Sequence, residues 1–83
     1  MRRAKAAMPT FCISVVNRTF EASEEQDFPT LEVAQAEAIK SALSIGVAEV
    51  GDDTPLFAAE VKIDRDGEQL ARYFVSVGVS PLR

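Results

Sequence analysis

The sequence predicts a single α+β domain with element order ββαββ, in which an antiparallel sheet carries one helix on one face. Three observations lead there. Two alternating segments flank Asp64-Arg65-Asp66-Gly67 within residues 57–77, an amphipathic stretch opens at Leu31, and Phe11, Ile13 and Val15 alternate with Cys12 and Ser14 near the start. Alternation with a period of two marks half-buried strands, whereas apolar residues spaced three and four apart mark a helix face. A chain of 83 residues has room for one core, and at this size that core is marginal on its own.

In chain order, Thr10 to Val16 forms the first strand. Asn17-Arg18 is a turn into Thr19-Phe20-Glu21, a short second strand, and Ser23-Glu24-Glu25-Gln26-Asp27 is too polar and charged to be buried. Thr30 is then a good helix N-cap, and Glu32 suits the positive end of the helix dipole. At 100° per residue Leu31, Ala34, Ala38, Ile39, Ala42, Leu43 and Ile45 share one arc, with Glu37, Lys40, Ser41 and Ser44 on the other. The alanines allow close approach to a sheet but each contributes little apolar area. Gly46 weakens the pattern with a helix penalty of about 1 kcal/mol, and the helix is expected to end between Gly46 and Gly51. Asp52-Asp53-Thr54-Pro55 is a turn-rich connection into the hairpin.

The hairpin register is argued from residue types, because a slip of one position moves every side chain to the other face. A two-residue turn at Asp66-Gly67 sets Arg72 opposite Val61 and spends a charge on the apolar face. A three-residue turn of Arg65, Asp66 and Gly67, with Gly67 left-handed in a G1 bulge, instead sets Tyr73 and Val75 opposite Ala59 and Phe57 and pairs Glu60 with Arg72. The second register is the expectation.

Composition narrows the class. Hydrophobic residues make up 47% of the chain, too many for a disordered segment, and no apolar run approaches the length of a membrane span. Cys12 is the single cysteine, which precludes an internal disulfide, and no apolar signal region follows the first residues; a cytoplasmic setting is expected. Arg2, Arg3 and Lys5 make residues 1–7 a basic extension, read as flexible, ahead of a domain spanning 8–83. The remaining six basic residues face 13 acidic ones, so the body carries a charge of −7. Such a body repels phosphate backbones, and nucleic acid is not an expected partner.

Met8-Pro9-Thr10-Phe11, Leu31-Glu32-Val33-Ala34-Gln35-Ala36-Glu37-Ala38 and Glu60-Val61-Lys62-Ile63-Asp64-Arg65-Asp66-Gly67 together resemble a family of small bacterial proteins of unknown function, frequent in rhizobia and related α-proteobacteria. Its members start at Met-Pro, carry an alanine-rich "dLeaAraeA" helix and close with an "EV.DedG" hairpin. The resemblance spans residues 8–77. It implies the same small α+β fold and a domain beginning at Met8, and it transfers no catalytic residue. This chain has Asn17-Arg18 where the family usually has Asp-Gly, and Gln26 where a glycine is common.

Residues able to do chemistry are scattered. The chain has no histidine, which removes the commonest general base and metal ligand. Cys12 has no histidine to activate it and reads as a small packed hydrophobe. The six serines lie in no nucleophile-elbow context. Asp64, Asp66 and Glu68 around Gly67 have the residue types of a calcium loop but not its twelve-residue span, and read as a turn. The four glycines, at 46, 51, 67 and 78, are isolated and form no phosphate loop. No catalytic residue, cofactor or metal site is assigned, and an enzyme is not expected.

Surface therefore carries the functional expectation. The hairpin directs Ala58, Leu70 and Phe74 away from the face shared by Phe57, Val61 and Val75, and Cys12 and Val16 can join them. One helix covers only one face of a four-stranded sheet, and small scaffolds relieve such exposure by associating. The expectation is a non-enzymatic interaction module that forms a homodimer, with Leu70, Phe74, Ala58 and Cys12 as candidate interface residues. The alternative is a protein that binds a small molecule or anion in a cleft between helix and sheet, near Gln35, which interrupts the apolar arc.

Overall fold

The computed structural model describes residues 8–82; the basic extension at 1–7 lies outside the described residues. The order is β1 (Thr10–Val16), β2 (Glu21–Asp27), α1 (Leu31–Glu49), β3 (Leu56–Arg65) and β4 (Glu68–Gly78). The four strands form one antiparallel sheet in the order β2-β1-β3-β4. The α+β class and the ββαββ order are those the sequence predicts. Each hairpin keeps its own two strands adjacent, and α1 carries the chain from the β2 edge to the centre, where β3 pairs with β1.

The alternation on β1 and β3 becomes burial. Phe11, Ile13 and Val15 point to the same side as Phe57, Ala59, Val61 and Ile63, and all are buried. Val61 and Ile63 are wholly inaccessible, each contributing about 1.5–3 kcal/mol by leaving water. α1 lies over β3 and β4 and only brushes β1. Phe28 packs at 6.3 Å from Phe11, and the Arg65 guanidinium lies 5.8 Å from the centre of the Phe11 ring, so an aromatic and a cation flank Phe11.

Thr30 caps the helix as expected: its backbone is extended and its hydroxyl accepts from the Val33 amide at 3.2 Å. The helix ends at Glu49, with the Val50 amide donating to the Gly46 carbonyl, inside the expected window. Its contact face differs in detail. The fully buried positions are Ala34, Ala38, Ala42 and Gly46, a stripe repeating every four residues, while Leu43 is 40% exposed. Gly46 belongs to the packing face because a Cβ there would fall 2.7 Å from Val77 Cγ2 and 2.8 Å from Phe57 Cδ2. What costs helix propensity permits close approach.

Two strand expectations are corrected. The second strand is not the short segment 19–21: it runs through the acidic residues, with Glu21 opposite Val16 and Asp27 opposite Thr10. An edge strand needs only its ladder hydrogen bonds, and here glutamates remain in water while their backbone pairs. The expected turn at Asn17-Arg18 is a longer loop, 17–20. The Asn17 side-chain oxygen accepts from the Thr19 and Phe20 amides at 2.9 and 3.1 Å and from the Thr19 hydroxyl at 3.0 Å.

The second correction is the hairpin register. Asp66 and Gly67 both take positive φ, 53° and 81°, the signature of a two-residue type I′ turn, with Arg65 opposite Glu68. A bulge between Ile63 and Asp64 then leaves Leu70 without a partner, so that Tyr73 faces Val61 and Val75 faces Ala59. The expected pairs of Tyr73 with Ala59 and of Val75 with Phe57 are not formed. The bulge restores the parity that a plain two-residue turn would have lost. Arg72 is thereby kept off the apolar face, the condition on which the three-residue turn is expected.

Candidate functional site

The face of the sheet away from α1 is built by the strand partners of the core residues. Across β1, β3 and β4 its rows are Ser14, Lys62 and Arg72, then Val16, Glu60 and Phe74, then Ala58 and Ser76. Lys62 and Arg72 stand directly opposite, which like charges disfavour. Arg72 instead reaches along the diagonal to donate to the Glu60 carboxylate. The expected Glu60–Arg72 ion pair is thus present, as a diagonal contact rather than a direct cross-strand pair. Ser14, buried, shares a hydrogen bond of 3.0 Å with the Ser23 hydroxyl across to β2, which satisfies the buried polar group of this face.

The four candidate interface residues fall in different places. Phe74 is the most exposed aromatic, at 75%, and lies one row from Ala58. Cys12 is half-buried beside Asp64, separated from Phe74 by the row that holds Lys62 and from Ala58 by that row and the row of Glu60 and Phe74. Leu70, 37% exposed, sits at the bulge. The structure brings Ala58 and Phe74 together and leaves Cys12 and Leu70 apart from them, so the open face is a polar surface with an apolar corner.

That corner borders a groove of about 1080 Å³. β3 and β4 extend past the end of β1, leaving Leu56 to Ala59 without a strand partner on the β1 side, where the loop 17–20 begins. Phe20 from the loop stacks on Phe57, with ring centres 6.4 Å apart. Arg18, Phe20, Phe57, Arg72, Tyr73 and Phe74 are among the lining residues, whereas Gln35 is not. The sequence signal that could have located it is Phe20, an isolated aromatic between polar residues. Its packing partner is 37 positions away in the chain, beyond the reach of local pattern.

Among the described residues, no three His, Cys, Asp or Glu side chains gather in a way that could hold a metal ion. Among the same residues no helix is long and apolar enough to cross a membrane. Compared with known proteins, the chain matches no family model, no curated protein and no solved structure.

Proposed function

We propose that this chain is a non-enzymatic protein-interaction module whose first partner is itself. The observation that supports this most directly is the one-sided layering: a single helix covers one face of a four-stranded sheet, while Phe74 on the opposite face is three-quarters exposed. A small core benefits from covering such surface by association. The lack of histidine and the single, half-buried Cys12 favour binding over catalysis, and one cysteine suits a reducing cytoplasm. The acidic body disfavours nucleic acid as a partner. The resemblance to bacterial proteins of unknown function in residues 8–77 rests on the quoted motifs and adds no activity to this reading.

Sedimentation equilibrium of the full chain over a wide concentration range tests the proposal. A concentration-dependent dimer is expected. A folded monomer at every concentration would reject self-association and leave the groove as the next place to look. A second reading, binding of a small anion, is favoured by one feature: Arg18 and Arg72 both line an aromatic groove. It predicts that anionic aromatic compounds shift the amide signals of residues 17–20, and the absence of any shift would dismiss it.

A further inference from the structure

We infer that the second copy pairs antiparallel along the outer edge of β4 about a two-fold axis at Phe74, which joins two four-stranded sheets into one of eight strands. The inference rests on the self-association reading and places the contact at a strand edge, where it brings the two exposed Phe74 side chains together, rather than across the open face. The sheet has two outer edges, β2 and β4, each a row of backbone groups able to pair with another chain. They differ in charge. β2 carries Glu21, Glu24, Glu25 and Asp27 within seven residues, so pairing two β2 edges would gather eight carboxylates. β4 is eleven residues long and carries only Glu68 and Arg72, one of each sign, and no proline. Beyond the bulge at Leu70, this long, nearly neutral edge without proline is open to strand addition.

The register follows from the bulge. It distorts β4 at Leu70, which leaves residues 71–78 as the regular stretch, and a two-fold at Phe74 uses that stretch from 71 to 77. Phe74 then meets its own copy, Arg72 meets Ser76 of the second copy, and Tyr73 meets Val75. No charge opposes its like, and the aromatic and β-branched residues pair across the seam in the combination that stabilises strand pairs. An isologous contact of this kind closes as a dimer.

The helix position fits the same arrangement. α1 packs mainly on β3 and β4, the half of the sheet next to the proposed seam. A two-fold normal to the sheet would set the two helices antiparallel on one face of the joined sheet.

The test uses the full chain in sedimentation equilibrium, with two variants that circular dichroism shows to be folded. Phe74→Lys with Ser76→Lys changes two exposed positions and sets Lys against Lys at the two-fold and Lys against Arg72 beside it. Ala58→Glu puts a charge on the open face of an internal strand and leaves the β4 edge unchanged. The expected result is a dimer weakened at least tenfold by the lysine pair and unaffected by Ala58→Glu, with alternate β4 amides gaining protection from hydrogen exchange as concentration rises. A dimer abolished by Ala58→Glu, whatever the lysine pair does, would be face to face, since Phe74 shares the open face with Ala58, overturning the edge while preserving self-association. A monomer under all conditions would overturn both.

Discussion

Gly46 and Val77 meet so closely that a Cβ on the glycine would lie 2.7 Å from Val77 Cγ2. α1 therefore settles onto β4 with backbone, not side chain, at its last buried turn. Adding a methyl group gains about 1 kcal/mol of helix propensity but overpacks a closed contact, at a typical cost of 1–3 kcal/mol. Gly46→Ala is expected to lower stability by about 1 kcal/mol, measured by urea denaturation. Combining it with Val77→Ala should recover part of the loss, because the second change removes one of the two atoms that are struck and leaves Phe57 Cδ2.

Asn17 organises the β1–β2 loop through one oxygen that accepts three hydrogen bonds. Its removal leaves the Phe20 and Thr19 amides to find other partners. Asn17→Ala is expected to cost about 1–2 kcal/mol, while Asn17→Asp, which keeps the acceptor, should stay near the parent. Thermal denaturation of the three proteins separates these outcomes, and an unaffected Ala variant would show that the Asn17 backbone amide's 3.0 Å bond to the Phe20 carbonyl and Phe20 stacking on Phe57 hold the loop without the side chain.

The β3–β4 turn places Gly67 at φ 81°, where any other L-residue is strained. Nothing lies within 4 Å of a Cβ there, so the effect of Gly67→Ala is conformational rather than steric crowding. A loss of about 1–2 kcal/mol is expected. Asp66→Asn should be neutral or slightly stabilising, since asparagine before glycine is the preferred type I′ pair. Parallel urea curves for the two variants check both signs.

The Arg72 and Glu60 side chains, 62% and 32% exposed, pair across a diagonal of the open face. Screening limits such a pair to about 0.2–1 kcal/mol. A double-mutant cycle with Arg72→Ala and Glu60→Ala is expected to give a coupling in that range at low salt and close to zero in 1 M salt, where the Debye length is about 3 Å. A coupling that persists at high salt would show that the pair is not a screened surface interaction.

The alternation of Phe11, Ile13 and Val15, the run of β3 residues and the alanine repeat of α1 determine the elements by themselves, because each is a local period that selects one face of a strand or helix. Thr30 and a left-handed Gly67 are likewise legible, since capping and positive φ are satisfied within a few residues, although residue types alone favour a three-residue turn over the two-residue one that forms. Three features were decided only by the tertiary structure. The acidic segment of β2 is a strand because β1 offers it a ladder that no residue in the segment announces. Gly46 belongs to the core because Val77 and Phe57 reach it from 31 and 11 positions away. The bulge at Leu70 reconciles a two-residue turn with the placement of Arg72, a compromise between local turn geometry and the burial of a distant face. The candidate interface follows the same division: the exposure of Phe74 is readable from alternation, whereas the strand order that leaves β4 at an edge depends on β1 pairing with β3 across the helix, and no local period encodes that contact.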